Sequence, residues 1–148
     1  MKLNNGDERL RAHDIFTAAS IPDIFMRQLN KVDEDGRSIG DWYLFDPYDV
    51  KQVMGFSLGD SCDEEFGGGT FTRRYMACVE NPELSKKKVK AMDIMKPILR
   101  SQMESGTPFM FYRDEVNRMN ANSHAGIIYC SNLCTEITQN QSPTEFLE

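Results

Sequence analysis

The longest periodic pattern in this 148-residue sequence lies between Ser85 and Ser105. Apolar side chains recur there every three or four positions, which places them on one face of an α-helix. The positions that share this face are Val89, Met92, Met95, Leu99 and Met103. Gly106 follows directly and is suited to end the helix, whereas Pro97 removes one internal hydrogen bond and predicts a kink. The pattern predicts one long helix over residues 85–105, with its methionines packed in a core.

Shorter elements are predicted on both sides of the long helix. Apolar spacing, proline positions and glycine stops predict further helices over residues 7–20, 22–32, 47–54 and 71–79, with a weaker helical start at Ser61. Residues 113–119 are predicted to form a short helix or a turn. Runs of β-forming residues predict three short strands, over residues 42–45, 109–112 and 126–130. Trp42 and Phe45 are interpreted as packing residues, and the lysine run 86–88 as the solvated first turn of the long helix.

Helices and strands alternate in the second half of the chain, an order that favours an α/β fold. Only three strands are predicted and few residues follow the third, so the chain is expected to be a piece of a larger sheet. Its length corresponds to about one domain, and we expect a single unit. The predicted segments are a helical part over 7–32, a mixed part over 38–82, the long helix over 85–105, a strand-loop-strand part over 109–137 and an irregular tail over 138–148.

Composition excludes several classes of function. The chain has 17 Lys+Arg against 23 Asp+Glu and a net charge of −6, whereas nucleic-acid binders usually present a basic face. No apolar run approaches the ~18 residues of a membrane span, and the N-terminal residues lack the apolar stretch of a signal peptide. We therefore expect a cytoplasmic protein without nucleic-acid or membrane partners, whose four cysteines are reduced thiols.

The residues most suggestive of chemistry are Asn132, Cys134 and Glu136, which are spaced by two. On an extended backbone these side chains would project from one face, with Leu133 and Ile137 on the other face and able to anchor in a core. A helix would separate them, so the group is coherent only on an extended or loop backbone. A carboxylate beside a thiol can take a proton from a substrate hydroxyl, and an amide can orient that hydroxyl. Taken alone, the alternation fits a half-exposed strand better than a catalytic site.

The segment Ser131-Asn-Leu-Cys-Thr-Glu-Ile137 resembles the active-site loop of the large, catalytic subunit of ribonucleotide reductase. The resemblance continues in the same order over nearly the whole chain, from about Asp7 onwards. The other matching segments are Ile21-Pro-Asp-Ile-Phe-Met-Arg27, Trp42-Tyr-Leu-Phe-Asp-Pro47, Lys90-Ala-Met, Ser101-Gln-Met-Glu-Ser-Gly-Thr-Pro108, Asp114-Glu-Val-Asn117 and Gly126-Ile-Ile-Tyr-Cys-Ser131. The resemblance implies a fragment of that subunit's ten-stranded α/β barrel, ending just after the cysteine loop.

The resemblance also implies a radical mechanism. In that family a loop cysteine becomes a thiyl radical and takes the 3′-hydrogen of a ribonucleotide, and the 2′-hydroxyl then leaves as water. Cys134 matches the radical cysteine, Glu136 the carboxylate that takes the 3′-hydroxyl proton, and Asn132 the amide that binds the sugar hydroxyls. The implied function is reduction of ribonucleoside di- or triphosphates to deoxyribonucleotides for DNA synthesis.

Other parts of that family's machinery have no match in this sequence. They are a second pair of cysteines that supplies electrons, the tyrosines that relay the radical, the allosteric nucleotide sites and the substrate-phosphate loop. No cofactor or metal site is therefore expected in this chain. The complete enzyme would need a radical generator, either a metal-bearing small subunit or cobalamin, and a dithiol reductant.

The expected partners are the remainder of the large subunit, a radical-generating small subunit, a ribonucleotide and further copies of the chain. We expect the isolated chain to be inactive. The alternative is a non-catalytic remnant or an interaction module that retains this part of the fold.

The cysteines also admit other interpretations. Cys130 and Cys134 form a C-x3-C pair near His124, but a zinc or iron site would need a further ligand. A Cys134–His124 nucleophile pair rests only on the presence of the two residues, and His124 fits a polar loop. Cys62 and Cys78 are interpreted as buried or half-buried thiols within helical segments.

Overall fold

The computed structural model of the chain describes Arg9 and residues 14–141. Five α-helices and four short β-strands alternate in this part of the chain. In chain order they are β1 (Ala18–Ile21), α1 (Asp23–Leu29), β2 (Asp41–Phe45), α2 (Pro47–Met54), α3 (Thr70–Glu80), β3 (Lys86–Lys90), α4 (Ala91–Ser105), β4 (Phe109–Tyr112) and α5 (Arg113–Arg118), followed by a 3-10 turn at Ser123–Ala125. None of the helices described is long and apolar enough to cross a membrane.

The four strands pair as two separate two-stranded sheets. β1 runs parallel to β4, with Ala18 opposite Phe109. β2 runs antiparallel to β3, with Asp41 opposite Lys90. The described part of the chain is thus a partial α/β fold, as predicted, and these strands do not close into a barrel.

The β1–β4 pair has one face toward the core and the other toward the C-terminal loop. Ile21 packs with Phe25 of α1 and Met95 of α4 in a buried cluster. Because neighbouring strand residues point to opposite faces, Ser20 and Phe109 lie on the other side and line a cavity. The pair therefore forms the floor on which the loop residues 129–135 are placed.

Aromatic side chains fill the centre of the described fold. Trp42 stacks on Tyr75 with ring centroids 4.3 Å apart and meets the edge of Phe25 at 5.0 Å. Phe45 contacts Tyr75 edge-on at 5.8 Å, and the Tyr75 hydroxyl accepts a hydrogen bond from the Tyr43 backbone N–H at 2.8 Å. The prediction that Trp42 and Phe45 are packing residues is confirmed. Such aromatic pairs add ~0.5–1.5 kcal/mol each beyond burial of their area.

The predicted helix over residues 85–105 is wrong in its first part. The helix begins at Ala91, and the five residues before it form β3. Pairing with β2 decides the outcome, since the Asp41 carboxylate binds both Lys88 and Lys90 at 2.7 Å. The lysine run is thus part of a surface strand and not the first turn of a helix. A row of lysines on an exposed strand also discourages pairing with other chains.

The apolar stripe predicted for the long helix is only partly buried. Met95 is buried with Ala91, and Ile98 packs against the same cluster, whereas Met103 is 90% exposed. The prediction of a methionine core therefore holds for Met95 and for Met92, which is partly buried against the same cluster. It is wrong for Met103, because the buried face of α4 follows 91, 95 and 98. Gly106 has a positive φ of 74° and ends the helix, as predicted.

Other predicted elements also differ from the structure. The described part of the predicted helix 7–20 contains β1, because residues 18–21 find a parallel partner in β4; residues 7, 8 and 10–13 lie outside the described chain. The helix that follows Pro22 ends at Leu29 rather than at 32. The predicted strand 126–130 is irregular, and none of the described strands pairs with it.

Two buried carboxylates fix α5 to the rest of the fold. Asp114 accepts the backbone N–H groups of Asp23 at 2.6 Å and of Asp63 at 2.8 Å. Asp63 accepts the backbone N–H of Thr72 at 2.7 Å and the Thr72 hydroxyl. Burial raises the pKa of Asp114. These bonds hold residues 61–69 in an irregular path, so the helical start predicted at the beginning of this segment does not form.

Candidate active site

Residues 131–137 form a turn, so of the two backbones predicted for this segment, extended or loop, the chain adopts the loop. The Thr135 backbone N–H donates to the Asn132 carbonyl at 3.3 Å and closes the turn. Thr135 has a φ of 67°, a left-handed conformation that β-branched residues rarely adopt. Side chains on such a turn do not alternate between two faces. The spacing of two therefore does not explain how the three candidate residues are arranged.

The turn brings Asn132 and Glu136 into direct contact. Asn132 Nδ2 donates to Glu136 Oε1 at 2.6 Å, and Asn132 Oδ1 accepts the Ile137 backbone N–H at 3.1 Å. One side-chain amide therefore binds the carboxylate and also closes the backbone around Cys134, which lies between the two.

The same contacts set the charge of Glu136. Its pKa is lowered by hydrogen bonds from its own backbone N–H, from the Asn132 side chain and from the Cys134 backbone N–H, which outweigh desolvation. Glu136 is therefore ionised at neutral pH. The ionised carboxylate is the form that can accept a proton from a substrate.

Cys134 and its apolar neighbours are exposed on the turn. The Cys134 side chain is solvent-accessible, and its contact with Glu136 passes through the backbone. Leu133 is 61% exposed and Ile137 is 48% exposed. The prediction that these two residues anchor in a core is wrong for this chain, because the turn runs over the surface of the described fold.

A cavity of about 250 Å³ lies between the β1–β4 pair and the turn. Ser20, Phe109 and Phe111 line it from the strands, and Asn132 and Thr135 line it from the turn. Of the three candidate site residues, the structure thus brings only Asn132 to the wall of this cavity. The Thr135 hydroxyl is buried and has no hydrogen-bond partner among the described residues.

Side-chain amides hold the segment that leads into the turn. Asn117 Oδ1 accepts the Ile128 backbone N–H at 2.8 Å, and its Nδ2 donates to the Ile128 carbonyl at 3.1 Å. Gln141 makes the same pair of contacts with Cys130, each at 3.3 Å. Asn140 donates to the carbonyls of residues 122 and 126. The sequence analysis did not predict these roles. The signal available for them was the high frequency of asparagine in a segment that has no apolar periodicity.

The remaining cysteines behave largely as predicted. Cys62 is half-buried and Cys78 is buried, and burial raises the pKa of both thiols, with Glu64 adding to the effect at Cys62. Cys78 lies in α3, whereas the helical position predicted for Cys62 is wrong. His124 lies in the exposed 3-10 turn. In the described ranges, no group of three His, Cys, Asp or Glu residues is arranged to hold a metal ion.

The sequence that forms this partial α/β fold and the cysteine turn matches a family of known proteins. Residues 1–147 match the family model of the ribonucleotide reductase barrel domain. Because the match covers almost the whole chain, the protein belongs to the ribonucleotide reductase barrel-domain family.

Individual relatives agree with this assignment. The ribonucleoside-diphosphate reductase subunit alpha of Treponema pallidum is 44% identical over 96% of this chain. The subunit alpha of Helicobacter pylori strain J99 is 41% identical over 99%, and the large subunit of Danio rerio is 37% identical over 98%. In each case the alignment covers 16% of the relative. The chain therefore spans about a sixth of the length of these relatives.

Proposed function

We propose that this chain contributes the cysteine loop to the catalytic barrel of a ribonucleotide reductase large subunit, which reduces ribonucleotides to deoxyribonucleotides. The observation that carries the proposal is the Asn132–Glu136 contact at 2.6 Å with Cys134 between the two residues. Membership of the barrel family over almost the whole chain supports it. The names of the relatives favour ribonucleoside diphosphates as substrates.

In this proposal Cys134 is the residue that abstracts hydrogen. As a thiyl radical, its sulfur forms an S–H bond with the 3′-hydrogen of the ribonucleotide and leaves an unpaired electron on C3′. Glu136 takes the proton of the 3′-hydroxyl, and the 2′-hydroxyl takes up a proton from the dithiol reductant and leaves as water. Asn132 binds the sugar hydroxyls with its second N–H, since a side-chain amide has two donors and one is held by Glu136.

The oxidising and reducing equivalents come from outside this chain in the proposal. A metal-bearing small subunit or cobalamin supplies the oxidising equivalent, and a dithiol supplies the two electrons of the reduction. We assign no residue of this chain to hold a cofactor. The partners are the remainder of the large subunit and the radical generator, and the location is the cytoplasm, in keeping with a composition that favours reduced cysteines.

A complemented assay tests the proposal. The chain is mixed with the remainder of a large subunit, a radical generator, a dithiol and a ribonucleotide, and deoxyribonucleotide is measured. Cys134→Ser should abolish turnover, because the serine O–H bond is too strong to exchange hydrogen with the sugar. Cys130→Ser is the matched control and should retain turnover. If Cys134→Ser stayed active while Cys130→Ser did not, the assignment of the loop would be wrong.

The chain without its partners should not reduce ribonucleotides, because the sequence has no match for the phosphate loop or the second cysteine pair. Turnover by the isolated chain would contradict this expectation.

A second candidate is a non-catalytic interaction module. Exposed Leu133 and Ile137 on the turn favour it, since exposed apolar patches mark surfaces that bind other proteins. The same mixture separates the two candidates, because a stable complex without turnover supports the interaction module alone.

A further inference from the structure

The side chain of Asn117 satisfies the backbone of a segment outside its own helix. It lies in α5, yet it accepts the Ile128 N–H at 2.8 Å and donates to the Ile128 carbonyl at 3.1 Å. In a β-ladder, a residue exchanges these two bonds with a neighbouring strand. Here one side-chain amide takes the place of that strand. Asn117 is 7% exposed and Ile128 is 2% exposed, so water does not compete for these bonds.

The contacts of Asn117 fix the orientation of its amide. Nδ2 also donates to the Arg113 carbonyl at 2.8 Å, so both of its partners are carbonyl oxygens. A flipped amide would place Oδ1 against these oxygens and the NH2 group against the Ile128 N–H. Only one orientation satisfies every group.

Few residues separate Ile128 from the turn, and none of the described strands pairs with this segment. Ile128 lies four residues before Asn132, and between them the backbone of Cys130 is held by Gln141. α5 is itself anchored, because Asp114 binds the N–H groups of Asp23 and Asp63. Asn117 therefore ties the base of the turn directly to a helix that is fixed in the core.

We propose that Asn117 is a positioning residue that places Cys134 and Glu136 by holding Ile128. Its effect on the turn follows from the contacts alone. Its effect on turnover rests on the proposed reductase function.

Asn122 offers a matched control. It is an exposed asparagine of the same region. Its N–H donates to Asn120 Oδ1, and its carbonyl accepts bonds from the Asn140 side chain and from the Ala125 N–H, so all three bonds involve its backbone. Substitution of its side chain should therefore leave the turn unchanged.

Amide hydrogen exchange, followed by NMR on the 148-residue chain, tests the proposal with Asn117→Ala, Asn117→Asp and the same two changes at Asn122. Asn117→Ala should accelerate exchange of the Ile128 N–H about tenfold or more, as a lost buried hydrogen bond commonly does. The decisive probe is Ile137, whose N–H binds Asn132 and not Asn117. It should also exchange several-fold faster.

Asn117→Asp keeps the shape of the side chain but removes both N–H donors. In this variant, too, the Ile137 N–H should exchange faster than in the wild type. The Tyr43 N–H, bonded in the aromatic centre, should exchange at the wild-type rate in every variant.

Two outcomes would overturn the proposal. If Ile137 kept its wild-type rate while Ile128 exchanged faster, Asn117 would be only a local anchor. If Tyr43 accelerated as much as Ile137, Asn117 would serve general stability. In the complemented assay, Asn117→Ala should lower kcat while KM changes little. If the wild-type mixture showed no turnover, the proposed function would fail, whereas the exchange rates would still decide the role of Asn117.

Discussion

At the scale of single residues, the pKa of Glu136 reports whether the Asn132–Glu136 contact of the turn is formed. Asn132→Ala removes a hydrogen bond to the charged carboxylate, so the pKa of Glu136 should rise toward its ordinary value. NMR titration of the Glu136 carboxyl carbon measures this shift on the isolated chain. Asn122→Ala should leave the pKa unchanged. An equal pKa in Asn132→Ala and wild type would show that the contact is absent in solution.

Substitutions of the three candidate residues should lower turnover by different amounts. Glu136→Gln removes a positioned general base and should lower turnover by ~10²–10⁴-fold, whereas loss of Cys134 should abolish it. Asn132→Ala should cost no more than about 3 kcal/mol of transition-state stabilisation, the scale of a lost hydrogen bond to a charged group. The complemented assay measures all three, and a larger loss for Asn132→Ala than for Glu136→Gln would reverse the assigned roles.

The sequence could indicate which residues of the turn are candidates for the active site, but not how their side chains are arranged. The spacing singled out Cys134, Glu136 and Asn132, and the resemblance implied their roles, whereas the argument that their side chains share one face assumed an extended backbone. The left-handed Thr135 breaks that assumption, and nothing in its β-branched side chain predicts such a conformation. The role of Asn117 depends on a contact 11 residues away, which no local pattern encodes.

At the scale of elements, Asp114 of α5 should give a recognisable pH dependence. Because burial raises its folded-state pKa, protonation favours the folded state. Its contribution to stability is therefore fullest below the ordinary carboxyl pKa, and it falls as the pH rises through the raised value. Asp114→Asn cannot titrate at this position. Relative to this variant, the unfolding free energy of the wild type should therefore be highest at low pH and should fall as the pH rises. Denaturant titrations over a range of pH test this.

Asp114→Asn should also be less stable at low pH, where charge plays no part. An asparagine has one acceptor oxygen for the two N–H groups of Asp23 and Asp63, so one buried donor loses its partner. We expect a loss of ~1–3 kcal/mol in unfolding free energy. A variant as stable as wild type would show that these bonds are not both formed.

Elements with local signals were predicted correctly, and elements that depend on distant partners were not. α2 is flanked by Asp46, whose side chain accepts the Tyr48 N–H at 2.8 Å, and by Gly55 with a φ of 73°; both signals are adjacent in the sequence. β3 has no such signal. Its lysines suit a helix equally well, and the strand forms because β2 lies beside it.

At the scale of the whole molecule, unpaired strand edges and exposed apolar side chains predict self-association. The β1–β4 pair has only two strands and lacks the lysine row of β3, and Leu133 on the turn is 61% exposed. Sedimentation should show a mass that rises with concentration, and Leu133→Lys should reduce it. Gln52→Lys, at an exposed polar position of α2, is the control and should leave the mass unchanged. A concentration-independent monomer that binds no hydrophobic dye would contradict the prediction.

The parallel pairing of β1 with β4 has a consequence for how the chain acquires its structure during synthesis. The backbone N–H of Asp23 donates to the carboxylate of Asp114, 91 residues further along the chain, so this bond cannot form until Asp114 has been synthesised. β1 likewise cannot pair until β4 has been synthesised. At ~5–20 residues per second, the ribosome exposes the first strand roughly 5–20 s before the second arrives. The two strands of the cavity floor therefore meet late, and β1 has an unpaired edge that is accessible to chaperones and to mispairing in that interval.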